Sequence, residues 1–249
     1  MSAAGAPEIV AQASSLLAAL EASDVTARAL GGIGVALVCP AAGAEPLRRG
    51  YEDIDVVVAR GDARRLGAAM HANGYRADDH FNAMHGRTRM LFYDPSDRHV
   101  DVFVGVFKLC HELDLGARLG YPGPSLPPAD LLLTKLQIGQ LNRKDVTDLL
   151  AVLHDHPLGS AEQGIDVDYL TGLLAHDWGW WRTVTDNLVR VRELLGAADD
   201  YDAVAGVVRP RLAELEQAIE RRSKSLRWKA RARVGDRVPW RAEPEEVGR

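Results

Sequence analysis

The sequence predicts an α+β protein, with an α/β lobe over residues 1–127 followed by a helical lobe over residues 128–249. Three observations carry this expectation. Runs rich in β-branched and aromatic residues at Asp53–Val58, Arg87–Tyr93 and His99–Val104 read as strands set among helical segments. Proline-rich Tyr121–Pro128 then interrupts the pattern. From Ala129 to Glu220 nearly every segment has apolar residues at helical spacing.

Ile9, Val10, Ala13, Leu16, Leu17 and Leu20 recur at helical spacing, so Pro7–Leu20 is a first amphipathic helix. Ala27–Leu30 meets Gly31-Gly32, and Ile33–Val38 follows until Pro40, which reads as strand, glycine turn and short helix. Cys39–Gly50 holds Pro40, Gly43 and Pro46 among small residues, ends with Arg48-Arg49, and reads as a loop. Asp53–Val58 alternates acid and aliphatic before turning wholly β-branched, as a buried strand with one polar edge does. Asp62 is placed to cap a helix that Asn73-Gly74 stops. The turn-forming Asp94-Pro95-Ser96-Asp97 makes Arg87–Tyr93 and His99–Val104 a hairpin.

A length of 249 residues and 47% hydrophobic content argue against disorder along the whole chain. A net charge of -5 argues against general polyanion binding, which depends on Lys and Arg neutralising phosphates, though it leaves room for a local basic patch. Cys39 and Cys110 have no paired spacing and fit a reducing interior. The N-terminus reaches Glu8 without the basic start and apolar core of a signal peptide. The longest apolar stretches, such as Ile33–Cys39 and Val100–Phe107, fall short of the roughly 20 residues of a membrane-spanning helix. A soluble, cytoplasmic protein without a membrane partner is expected.

Asp53 and Asp55 lie two apart on a predicted strand, so their side chains share a face with Cα atoms roughly 6–7 Å apart. Two like charges that close are costly unless a cation lies between them, and magnesium favours carboxylate oxygens together with a substrate's phosphates. Asp101 is embedded in the apolar strand His99–Phe103. If that strand pairs beside the first, three carboxylates converge, a set suited to two-metal phosphoryl transfer. A glycine turn such as Gly31-Gly32 at a helix start presents backbone N–H groups to an anion. Plainer readings exist for each: solvated acids on an edge strand, and an ordinary turn.

In their order, Leu30-Gly31-Gly32, Asp53-Ile54-Asp55-Val56 and Val100-Asp101-Val102 resemble the polymerase β-like nucleotidyltransferases, whose pattern is a glycine turn, an Asp-x-Asp strand and a third Asp. The resemblance implies a mixed sheet flanked by helices, with a helical C-terminal lobe. It implies that Asp53 and Asp55 bind both metal ions, Mg²⁺ or Mn²⁺, and that Asp101 binds the catalytic one and assists deprotonation of the acceptor. The glycine pair stands further before the first Asp than in that family, an excess that an inserted loop at Cys39–Gly50 explains. Arg48 and Arg49 could then reach a triphosphate.

Leu131–Gln137 and Arg143–Leu149 are similar to the later motifs of abortive-infection toxin-type nucleotidyltransferases. That likeness implies a phosphate contact for Lys135 and a bracing role for Arg143, Lys144, Asp145 and Asp148. Lys135 reads equally as a lysine snorkelling on a helix rim, and Asp145 and Asp148 as first-turn acids favoured by the helix dipole.

Arg87 and Arg89 would share a strand face, aimed at phosphate oxygens or simply solvated. His111, His154 and His156 have no metal-site spacing. Trp178, Trp180 and Trp181 read as core closure rather than base stacking. Arg221–Arg233, a basic run interleaved with Leu226 and Trp228, is the candidate RNA contact, with a solvated face as its alternative. The expected function is metal-dependent transfer of a nucleoside monophosphate from an NTP to an acceptor, either a small molecule such as an antibiotic, an RNA end or a protein. The alternative is a catalytically inactive binding or interaction module on the same fold.

Overall fold

The structure is a computed structural model that describes residues 6–197 and 199–243. The chain forms two compact units. One takes in the described residues up to Pro40, then Arg49–Phe107 and Glu112–Leu126; the other takes Ala41–Arg48, Lys108–His111 and the described residues from Pro127 onward. We retain a boundary at 127/128 as a proposal for where the chain divides.

The first unit contains α1 (Ala6–Ala22), β1 (Ala27–Ala29), α2 (Gly31–Val38), β2 (Ile54–Val58), α3 (Ala63–Ala72), β3 (Arg76–Ala77), α4 (Asp79–His85), β4 (Arg89–Tyr93) and β5 (His99–Val104). Its sheet has five strands in the order β1-β2-β5-β4-β3. Only β2 and β5 pair in parallel, so the sheet is mixed. Strand alternation sorts the two faces. Ile54, Val56 and Val58 of β2, Val100, Val102 and Val104 of β5, and Phe92 of β4 join one core with Ile9, Leu16 and Leu20 of α1 and Leu66 and Met70 of α3. The intervening positions, Asp55, Asp101 and Arg89, fall on the other face. Backbone bonds from Ala29 to Pro124 and from Leu126 to Ala29 cover the free edge of β1.

The β4–β5 turn is held by Asp94, which is buried and accepts from the backbone N–H groups of Ser96 and Arg98 at 2.7 and 2.8 Å. The amide of Gln12 on α1 donates to Asp94 Oδ2 at 2.7 Å and accepts from Arg98. Burial alone would raise the pKa of Asp94, but the Gln12 bond and the two backbone bonds hold it below the usual carboxylate range.

Two local expectations are corrected. Asp62 stands at the start of α3 but makes no side-chain cap there; its carboxylate accepts from Thr26 N–H at 2.8 Å and pairs with Arg65. β4 begins at Arg89, with Arg87 in the turn before it, so the two arginines do not share a strand face. In addition, an unforeseen helix, α4, is capped by Asp78, whose carboxylate accepts from Phe81 N–H at 2.9 Å.

The second unit contains α5 (Pro128–Leu136), α6 (Arg143–Asp155), α7 (Val167–His176), α8 (Trp178–Ala197), α9 (Asp202–Arg221) and α10 (Leu226–Val234). Asn142 and Asp145 close the start of α6 as a reciprocal capping box. The tryptophans pack inward: Trp180 stacks on His111 with ring centroids 4.8 Å apart, and Trp181 meets Trp228 edge-on at 5.1 Å. Among the described residues, no helix is long and apolar enough to cross a membrane.

Candidate active site

β2 and β5 run in parallel with Asp55 directly opposite Asp101, which places the two side chains next to each other on one face. Asp101 is buried and Asp55 half-buried. Their pairing follows from the register that aligns the β-branched runs on either side: shifting it by one residue would turn each apolar set out of the core.

Asp53 lies just before β2, in an exposed position. The strand therefore carries Asp55 but not Asp53. Among the described residues, no group of three or more His, Cys, Asp or Glu side chains is gathered as a metal cage.

The glycine pair sits against the acids. The Leu30 N–H donates to the Asp55 carbonyl at 3.1 Å, and the chain bends at Gly31 with φ of 61°. A methyl group on Gly31 would stand 2.4 Å from Asp55 Oδ2, and one on Gly32 would stand 2.0 Å from Arg49 Nη2 and 3.1 Å from the Tyr51 ring. The Arg49 guanidinium lies 4.4 Å from the centre of the Tyr51 ring. The long loop thus brings its distal end, Arg49 and Tyr51, back onto the glycine pair. Tyr51 is a contributor that spacing alone does not reveal; its one signal is its place two residues before Asp53.

Arg89, first residue of β4, donates from Nε to Asp101 Oδ1 at 2.7 Å. Its guanidinium lies 5.4 Å from the centre of the Phe103 ring and 5.7 Å from that of Phe81. Arg48 pairs with Glu45 at 2.9 Å in an exposed contact.

In the helical unit, Lys135 on α5 reaches two carboxylates on α6, Asp145 at 3.0 Å and Asp148 at 2.9 Å. Both acids are buried, and the lysine side chain is only 14% exposed, so Lys135 is not a snorkelling rim residue. Burial on its own would lower the lysine pKa, but Asp148 and Asp145 outweigh it and raise the pKa. Such an ammonium is a fixed cation at neutral pH. It fastens the capped start of α6 to α5.

Residues 2–154 match a protein family described as "Uncharacterised nucleotidyltransferase", a span that includes both glycines, all three acids and Lys135. The chain belongs to this nucleotidyltransferase family. Its mixed sheet and helical lobe agree with that assignment. No curated protein matches the chain. Among solved structures, it is similar to lincomycin-bound lincosamide antibiotic adenylyltransferase LnuA, at 18% identity and TM-score 0.39, over 53% of this chain and 89% of that one. It is also similar to the antibiotic-resistance factor ANT(2'')-Ia, at 12% identity and TM-score 0.41, over 87% of this chain and 100% of that one. A third similar structure is an antigenic nucleotidyltransferase-like protein from Paracoccidioides brasiliensis, at 15% identity and TM-score 0.41, over 89% and 96% of the two chains.

Proposed function

We propose that the protein is an active nucleotidyltransferase that moves a nucleoside monophosphate from an NTP to an acceptor. The observation that carries this reading is the in-register pairing of Asp55 and Asp101 against the Gly31-Gly32 turn. In the transfer, an acceptor oxygen bonds to the α-phosphorus, the bond from that phosphorus to the bridging oxygen breaks, and pyrophosphate leaves. The proton of the acceptor hydroxyl passes to a carboxylate, a role we assign to Asp101.

The site fits Mg²⁺ or Mn²⁺. One or two carboxylates completed by substrate phosphates are a usual donor set for Mg²⁺. The lack of a side chain at Gly31 makes room for Asp55 Oδ2, and the Arg89 guanidinium on Asp101 marks a position that accepts a cation. Asp55 and Asp101 would hold the ion, with Asp53 contributing from the segment before β2. When bound, the ion would lower the pKa of the acceptor hydroxyl and offset charge on the phosphates. Gly31 and Gly32 offer backbone N–H groups to the triphosphate, and Arg49 offers a guanidinium beside them. Arg48, Lys135 and Asp148 remain proposed phosphate-binding residues on the strength of the sequence resemblance alone.

We propose a cytoplasmic enzyme whose acceptor is a small molecule or an RNA. Arg221, Arg227, Lys229 and Arg233 are exposed, which is compatible with the proposed RNA contact by Arg221–Arg233. The test is to incubate α-labelled NTPs and Mg²⁺ with panels of small molecules, RNAs and proteins. Label should appear on an acceptor with the native protein and disappear with Asp101→Asn. The exposed position of Asp53 favours a second reading, an inactive nucleotide-binding module. NTP binding without transfer to any acceptor would select it.

A further inference from the structure

We propose that Arg89 is a positioning residue that holds Asp101 in the place of a divalent cation and hands it over when the cation binds. The inference rests on the reading of Asp101 as a metal-binding carboxylate. Three observations lead to it.

First, Asp55 and Asp101 stand side by side on neighbouring strands, and Arg89 is the cation bonded to the more buried of the two. Two carboxylates this close repel each other, and a cation within hydrogen-bonding distance offsets the repulsion. An arginine stays charged at any ordinary pH, so it leaves the carboxylate by displacement and not by deprotonation.

Second, the contact is made by Nε alone. Among the described residues, neither Nη group of Arg89 has a hydrogen-bond partner, and the guanidinium lies near the rings of Phe81 and Phe103. A forked pairing through two nitrogens would hold Asp101 more firmly. The single bond is one that a divalent ion can replace, and the spare donors suit phosphate oxygens arriving with it.

Third, Arg89 is anchored where its backbone cannot drift. It is the first residue of β4, opposite Phe103 in the register, and the carbonyl of its neighbour Thr88 accepts from Val104 N–H at 2.9 Å. Its side chain is 30% exposed while that of Asp101 is 12% exposed. The strand is fixed, and the side chain has room to swing.

The experiment is a Mn²⁺ titration followed by electron paramagnetic resonance, without nucleotide, on the native protein, Arg89→Gln, Arg89→Lys and Asp101→Asn. Removing the competing cation should tighten Mn²⁺ binding about tenfold in Arg89→Gln, equivalent to about 1.4 kcal/mol. Arg89→Lys, which keeps the charge, should stay close to the native value. A parallel measurement needs no variant to fold: the ¹⁵N–¹H signal of Arg89 Nε in the native protein should move as Mg²⁺ is added. Equal Mn²⁺ affinity in native and Arg89→Gln protein, or an Nε signal unmoved at Mg²⁺ saturation, would overturn the proposal. If Asp101→Asn weakens Mn²⁺ binding in that case, the metal-site reading stands and only the role of Arg89 falls. If Asp101→Asn changes nothing, or no protein binds Mn²⁺, both fall together.

Discussion

Replacing Lys135 with Met keeps the length of the side chain and removes its charge, leaving Asp145 and Asp148 buried without their shared cation. At about 3 Å and an effective dielectric of about 20, each contact is worth roughly 5 kcal/mol before desolvation is counted. Dehydrating the ammonium takes back much of that, and breaking a buried pair from one side typically costs about 3–5 kcal/mol. We expect Lys135→Met to lose about 4 kcal/mol, and to melt roughly 10 °C lower. Urea unfolding at pH 7 followed by circular dichroism measures the loss. Lys135→Met/Asp148→Leu should recover more than half of it, because one stranded charge has been replaced by apolar volume. The pH dependence gives a second check. Folding raises the pKa of Lys135, so its stabilisation is complete below the ordinary value of 10.5 and is lost as pH rises through the higher folded value. The native protein should therefore approach the variant in stability only at strongly alkaline pH. A loss under about 1 kcal/mol, the size expected of an exposed ion pair, would refute the buried-triad account.

His111 is held down to a pKa of about 4, chiefly by burial, with Asp177 pulling the other way. Its neutral form supports the fold fully above the unfolded value of 6.5, and up to about 3 kcal/mol is lost as pH falls from there to 4. His111→Gln should flatten that part of the stability profile in calorimetric scans, and an unchanged slope would contradict the burial argument. At Gly31, alanine must adopt a positive φ and crowd Asp55, so Gly31→Ala should cost about 1–2 kcal/mol from the backbone alone. It should also weaken NTP binding measured by calorimetry; retained affinity would reduce the glycine pair to a turn.

What local sequence made legible was whatever depends on period and turn chemistry. Alternation marked β2, β4 and β5, and Asp94-Pro95-Ser96-Asp97 marked the hairpin, so the pairing of Asp55 with Asp101 could be expected from the apolar residues flanking each. The position of Asp53 could not, because whether a strand begins one residue earlier is decided by its neighbours and not by its own pattern. The closeness of Gly31 to Asp55 was equally hidden, since it depends on the antiparallel pairing of β1 with β2, which a three-residue strand does not announce. α4 escaped notice because none of its residues is buried, leaving no apolar stripe to read. Lys135 looked like a rim lysine because its partners come from the next helix, and no local spacing shows which way two helices turn toward each other.

The single amide of Gln12 ties the first helix to the turn of the β4–β5 hairpin, where it meets both Asp94 and Arg98. The hairpin is also the piece of chain that carries Arg89 and Asp101. Trimming the protein from its front end past this glutamine would thus do more than shorten it: the hairpin tip would lose its tether, and the alignment of the buried acid with its guanidinium would loosen at a distance. A protease cut early in α1 should therefore show up first in metal and nucleotide affinity and only later in helix content, and α1 supplied as a separate peptide should restore both.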